Sequence, residues 1–308
     1  MNSETHGRSD NTSVLLTAVI PAKNLLQNFD SLLNMINQPS SEQVNLVLVI
    51  DEQEDEAKRV KSALESDTRF RKIKIVYGDY KSPGTARNVG LSEVKTRWVT
   101  FWDSDDEPKI TEILKIVDIA NKSQSEIAIT RFQVESVSSG LRQSSSAFSE
   151  KKMVNMQAIS INPAIWRMSF LTDLARQSSF PNLRMGEDQV FLSRLRMSAR
   201  RIYFSNTISY IYKTEGSSQL TSSKSHIKDL QIAFKLNLQN LVKTPKDANC
   251  RFELQLLAKE LLTLIKNRIV LEPISTLVKN SDPKIKITFA YHFSRLIFTL
   301  LKKGKNRW

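Results

Sequence analysis

Four short apolar runs, each stopping at polar or charged residues, divide the first third of the chain. Val14 to Ile20 is closed by Pro21-Ala22-Lys23-Asn24. Val44 to Ile50 ends in Asp51-Glu52, Ile73 to Tyr77 is the third run, and Trp98 to Trp102 leads into Asp103-Ser104-Asp105-Asp106. Between them lie segments with apolar residues at helical spacing: Phe29, Leu32, Leu33 and Ile36, then Ala57, Val60 and Leu64. Strand and helix in alternation demand a parallel sheet with right-handed crossovers, covered on both faces. The class is therefore α/β. Ligands of such sheets collect at the carboxyl ends of the strands, and three of these four runs end in polar groups there.

The cluster after the fourth run is the most chemically pointed of these ends. Asp103, Asp105 and Asp106 lie within four residues. Like charges this close repel and lose hydration, so a positive partner is expected. A hard divalent cation that shares its oxygen ligands with phosphate fits. A solvated acidic turn that caps the helix starting near Pro108 fits equally well. Upstream, KSPGTARNVGLSEV carries Gly84 and Gly90, two of only eight glycines, with Arg87 and Asn88 in the first turn of a helix that begins at Gly84. Free amides and a forked guanidinium suit a phosphate; the alternative is a turn glycine and a surface arginine. The Gly-Lys-Ser/Thr ending of a nucleoside-triphosphate loop is absent, as is a G-x-G-x-x-G after the first strand.

Taken in order, these segments resemble the inverting family 2 glycosyltransferases of the GT-A fold, over Leu15 to about Leu220. That family's opening loop, Pro-x-Tyr-Asn, corresponds to Pro21-Ala22-Lys23-Asn24, with Lys23 replacing Tyr. Its Asp-Asp-Gly-Ser corresponds to Asp51-Glu52-Gln53-Glu54, without the Gly-Ser. Its Ala-Arg-Asn-x-Gly is Ala86, Arg87, Asn88 and Gly90, and its Asp-x-Asp element is Asp103-Ser104-Asp105. The resemblance implies a Rossmann-like, mostly parallel sheet with flanking helices. It implies that Asp51 reads the base of a nucleotide sugar, with a UDP-sugar favoured and the Pro21 to Asn24 loop beside it. Asp103 would contact the ribose, Asp105 would hold Mn²⁺ or Mg²⁺ with Asp106 in support, and Arg87 would neutralise the leaving diphosphate.

Farther along, Ile110 to Ala120 has helical spacing, Ile127 to Glu135 reads as a strand, and Ser136 to Ser149 as a loop. Gly186-Glu187-Asp188 precedes a helix carrying Val190, Phe191 and Leu195. Carboxylates at a helix start are ordinary capping groups. The family resemblance instead implies a catalytic base here, assigned to Asp188, with Glu187 orienting the acceptor or the helix. Trp166 suits either a sugar-stacking platform or the core. Arg200 to Phe204 and Ile208 to Tyr212 read as the last strands. Lys213, Ser217 and Ser218 stand where the family closes a loop over the diphosphate. His226 reads as a surface residue.

Three regions follow: a disordered tail at 1–13, a glycosyltransferase domain at 14–222 split at 108/109 into nucleotide and acceptor halves, and a basic helical region at 223–308. The chain has 308 residues and a net charge of +13, almost all of it after residue 223. Ile227 to Leu241 and Phe252 to Ile269 read as helices. From Lys284 onward a basic amphipathic pattern suits an anionic membrane surface, or packing on the body or on a second copy in a homo-oligomer. Nucleic acid is disfavoured because no binding motif accompanies the charge. One cysteine, Cys250, and no apolar leader or span predict a cytoplasmic protein, with attachment at the inner face of the plasma membrane as the membrane variant. The expected acceptor is a glycan or lipid-linked saccharide. Rival expectations are a non-catalytic protein that uses the fold for binding, and a sugar-phosphate nucleotidyltransferase, for which a Gly-rich loop after the first strand is missing.

Overall fold

The computed structural model describes residues 14–144, 155–214, 224–243 and 249–267, with positions 283 and 294. The alternation is present in the first third: β1 (Leu16–Ala22), α1 (Phe29–Ile36), β2 (Val44–Asp51), α2 (Glu54–Ser66), β3 (Lys74–Gly78), α3 (Pro83–Ser92) and β4 (Trp98–Phe101). β1 pairs in parallel with β2 and β4, and β2 with β3. Period-two burial explains the layering. Leu16, Ala18, Ile20 and Leu46, Leu48, Ile50 face one cluster, which includes Leu32 of α1 and Val60 of α2. Val19, Val47 and Val49 face the other, with Ala86 and Leu91 of α3.

β1 runs two residues past its predicted end, through Pro21. The amides of Trp98 and Trp102 bond the carbonyls of Leu15 and Val19. Odd positions of β1 therefore face β4, whose pairing stops at Val19. Pro21 falls beyond that ladder, where a missing N–H costs nothing.

The remaining strands are β5 (Glu107–Pro108), β6 (Ile127–Ser136), β7 (Arg142–Ser144), β8 (Met168–Leu171) and β9 (Ile202–Thr214). The spatial order is β3-β2-β1-β4-β8-β6-β9-β5, with β7 beside β6. The second half of the sheet is mixed rather than parallel. β8 runs against both β4 and β6, β6 and β9 are parallel, and β5 and β7 are antiparallel to their neighbours. The two expected last strands are one strand, β9, whose pairing with β6 is interrupted by register shifts. β7 lies within the stretch expected to be loop.

The helices of this half are α4 (Ile110–Lys122), α5 (Met156–Ile161), α6 (Thr172–Ala175), α7 (Glu187–Arg194), α8 (Lys224–Val242) and α9 (Arg251–Lys266). The expected boundary at 222/223 falls between β9 and α8, yet α8 and α9 share buried clusters with the body. Phe252 and Leu256 of α9 join Phe101, Phe170 and Phe191. Leu230, Ala233 and Phe234 of α8 and Leu257 and Leu261 of α9 enclose Leu183 and Val190. No described helix is long and apolar enough to cross a membrane. The tail at 1–13, Ser217, Ser218 and the amphipathic pattern from Lys284 lie outside the described residues.

Candidate active site

The strand order turns back between β1 and β4, and the polar strand ends gather at that point. Asp51, at the end of β2, is 5% exposed. Its Oδ1 accepts from the amides of Tyr80 (2.5 Å) and Lys81 (3.0 Å), which fixes the loop entering α3. Its Oδ2 lies 4.0 Å from Nζ of Lys23. Neighbouring Glu52 is also buried and accepts from the Leu25 amide at 3.3 Å. Asn24 takes a left-handed conformation, φ 51°, and turns the chain out of the Pro21 strand end.

α3 is capped by Ser82, whose hydroxyl accepts from the Thr85 amide, with Pro83 in the first turn. Its Gly90 lies against β1 and β2. A methyl group there would meet Val19 Cγ1 at 2.3 Å, so only glycine allows the helix to sit this deep. That depth buries Arg87, which is 5% exposed. Its Nη1 donates to Glu187 Oε1 at 2.7 Å and its Nη2 to Asp103 Oδ1 at 2.9 Å. The guanidinium also lies over the Phe180 ring, 5.7 Å from its centroid. Burial works against its charge, but Asp103 and Glu187 more than offset this and hold Arg87 protonated. Arg87 was expected to neutralise the leaving diphosphate; without donor its two terminal nitrogens each bond a carboxylate. Arg87 thus ties the Asp103 loop to the start of α7.

Asn88 completes that tie, and its role was not read from the sequence. Its side chain bonds the Phe180 backbone twice, donating to the carbonyl at 2.8 Å and accepting from the amide at 2.9 Å. The signal was present in Ala86-Arg87-Asn88, but the partner is 92 residues away. Gly84 shares the constraint, since a methyl group there would meet the Pro181 carbonyl at 2.5 Å.

In the loop after β4, Asp105 is exposed and Asp106 is 1% exposed. Asp106 Oδ1 accepts from the backbone amide of Lys213 at 2.8 Å, while Oδ2 is sealed from solvent without a hydrogen-bond partner. Burial, then the charges of Asp103 and Asp105, push Asp106 well above the ordinary carboxylate range. The same charges and burial act on Tyr212, pushed up to about 12. The Tyr210 hydroxyl accepts from the Asp103 amide at 3.1 Å. Lys213 thus braces the acidic loop through its backbone.

Gly186, at φ 85°, opens α7 in a conformation that favours glycine. Glu187 is 7% exposed and spent on Arg87. Burial pushes it up to about 7, against the pull of Arg87. Asp188 is half-buried, and its Oδ1 accepts from the adjacent Gln189 amide at 2.7 Å. Burial raises it too, while Arg87 and Lys259 lower it and Asp103 raises it further. Asp188 therefore shares one electrostatic environment with the Asp103 loop.

Trp166 takes the packed alternative. It is 8% exposed, its ring stacks on Tyr210 and Tyr212 with centroids at 4.5 and 5.4 Å, and Phe132 meets it edge-on at 4.8 Å.

With this geometry in view, the chain was compared with known proteins. Residues 13–186 match the family described as glycosyl transferase family 2. The chain belongs to that family. It is 26% identical over 208 residues to succinoglycan biosynthesis protein ExoO of Rhizobium meliloti (strain 1021). That match covers 61% of this chain and 57% of the relative, so the chain spans little more than half of it. Among solved structures, S. aureus TarS 1-349 in complex with UDP-GlcNAc superposes with a TM-score of 0.63 at 19% identity, over 90% of this chain and 79% of that one. Mannosyltransferase PcManGT from Pyrobaculum calidifontis, in complex with GDP-Man and Mn²⁺, does so at 0.52 and 12% identity, over 94% and 87%. At these identities the structures establish only the GT-A-like fold of this chain.

Proposed function

We propose that the chain transfers a hexosyl group, with inversion, from a nucleotide sugar to a hydroxyl of a glycan or lipid-linked saccharide during polysaccharide biosynthesis. The observation that carries this reading is the bridge through Arg87. One buried cation holds Asp103, at the donor end of the sheet, to Glu187, at the start of the helix that bears Asp188. The bridge supports a donor side and a base side within one cavity.

The acceptor hydroxyl gives its proton to Asp188 as its oxygen bonds to the anomeric carbon. The bond from that carbon to the diphosphate breaks on the opposite face, and the nucleoside diphosphate leaves. Glu187, bonded to Arg87, orients the start of the helix that bears Asp188. Asp51 and the loop it anchors shape the base end of the donor pocket, with Pro21, Asn24 and Lys23 beside it. Asp103 faces the ribose.

Hard carboxylate oxygens, one of them sealed in without a partner, fit a divalent cation. Among the described residues no three His, Cys, Asp or Glu side chains form a metal-binding group. Asp105, supported by Asp106, would hold Mn²⁺ or Mg²⁺, with phosphate and water as the other ligands, and the ion would neutralise the leaving diphosphate. The presence of UDP-GlcNAc in TarS, GDP-Man and Mn²⁺ in PcManGT, and succinoglycan in the name of ExoO support the donor class, the metal and the setting.

The test is turnover of UDP- and GDP-sugars with Mn²⁺ by the wild type and Asp188→Asn. Loss of a general base lowers kcat by about 10²–10⁴-fold. Wild-type turnover by Asp188→Asn would falsify the assignment.

A further inference from the structure

α9 lies beyond residues 13–186, the span that matches the family, yet it packs on α7, the helix that bears Asp188. Phe252, Leu256 and Lys259 fall on one face of α9, at i, i+4 and i+7. Phe252 and Leu256 are buried against Phe101, Phe180 and Phe191, and Phe191 is one turn along α7 from Asp188. Lys259 continues that face by one turn. The next residue, Glu260, is fully buried, and its Oε1 accepts from Asn237 Nδ2 of α8 at 2.7 Å. The start of α7 is closed in from the other side, where a methyl group on Gly186 would meet Ala233 Cβ of α8 at 2.8 Å.

We propose that Lys259 is a positioning residue for the transfer reaction, a second cation that faces Asp188 alongside Arg87 and keeps that carboxylate ready to accept a proton. The proposal rests on Asp188 being the base. The charged groups whose fields act on Asp188 are Arg87 from α3, Lys259 from α9 and Asp103 from the loop after β4, with Glu187 adjacent in the chain. Burial lowers Lys259, while Asp188 and Glu260 hold it up. Burial pushes Glu260 up to about 8, against Lys259 and Asn237. Glu260 is therefore mostly protonated at neutral pH and leaves the ammonium charge to Asp188.

The test measures pH profiles of kcat for the full chain and for Lys259→Met, Lys259→Gln, Lys259→Arg and Asp188→Asn. The probe is hydrolysis of whichever of UDP-GlcNAc and GDP-mannose the wild type turns over with Mn²⁺. Removing the cation raises the pKa of Asp188, so the acid limb moves up by about one pH unit. Activity on that limb falls about tenfold and returns towards wild type at high pH, and Lys259→Arg restores the profile. A purely structural lysine would lower kcat evenly across pH, and an unshifted limb overturns the proposal. If Asp188→Asn is inactive while the limb stays put, only the lysine role fails. If Asp188→Asn turns over normally, the base assignment fails and the lysine role with it. A second measurement needs no donor: the loss of melting temperature in Lys259→Met at pH 8 should shrink in an Asp188→Asn background. Equal losses in both backgrounds also overturn the coupling.

Discussion

Replacing Arg87 with methionine keeps an unbranched apolar stem and removes the cation that spans the site. Two carboxylates lose their partner, but not equally. The Asp103 side chain is 29% exposed and that of Glu187 only 10%. Water screens the first, where an exposed pair is worth about 0–1 kcal/mol. The second is left buried and uncompensated, which costs about 3–5 kcal/mol. The loss depends on pH, and its sign follows from burial. Glu187 is raised to about 7 by burial even with Arg87 opposing it. From its unfolded value, ~4.3, up to about 7 the folded chain holds the extra proton, and stability falls as pH rises. Without Arg87 the folded value climbs further, so the falling region extends upward. At pH 5 Glu187 is neutral in both proteins and the two differ little; at pH 8 the full loss appears. Thermal melts at the two pH values should show a deficit of about 10 °C at pH 8, mostly recovered at pH 5. Arg87→Lys should regain only part, since one ammonium cannot fork to both acids. A variant that melts with wild type at pH 8, or loses the same at both pH values, would refute the strut.

Other outcomes follow from the same packing. Gly90→Ala should lift α3 off β1 and β2 and destabilise by about 1–3 kcal/mol in urea unfolding, with donor affinity falling too because Arg87 moves with the helix. Trp166→Ala should cost about 3–5 kcal/mol in the same assay and leave the KM for the acceptor unchanged; a selective rise in that KM would restore the stacking role. Asp105→Asn should abolish the Mn²⁺-dependent part of the thermal shift produced by UDP or GDP while leaving the melt without ligand near wild type. Deleting residues 284–308 should release the chain from anionic vesicles, and binding that survives the deletion removes the amphipathic anchor.

The parallel half of the sheet was legible because each of its strands is a short apolar run with a helical segment after it. β8 was not. Met168–Leu171 is a four-residue run inside an apolar stretch with no period of its own, and what makes it a strand is its reversed pairing between β4 and β6. Site residues divide in the same way. The chemical type of Asp51, Arg87, Asp103, Asp105 and Asp188 is readable from position and motif, but their partners are not. An arginine in the first turn of a helix suits a phosphate as well as a carboxylate, and the Glu187 that it bonds lies 100 residues downstream. Lys259 had no motif to announce it, since one lysine on an amphipathic helix reads as solvated charge until α9 is docked. The Arg87 bridge has a consequence for the chemistry. A guanidinium has five N–H donors, but one flanked by Asp103 and Glu187 has its positive charge offset before a diphosphate arrives. The countercharge for the leaving group then falls largely to a cation at Asp105 or to side chains elsewhere around the site, and turnover without Mn²⁺ or Mg²⁺ measures how much the protein supplies alone.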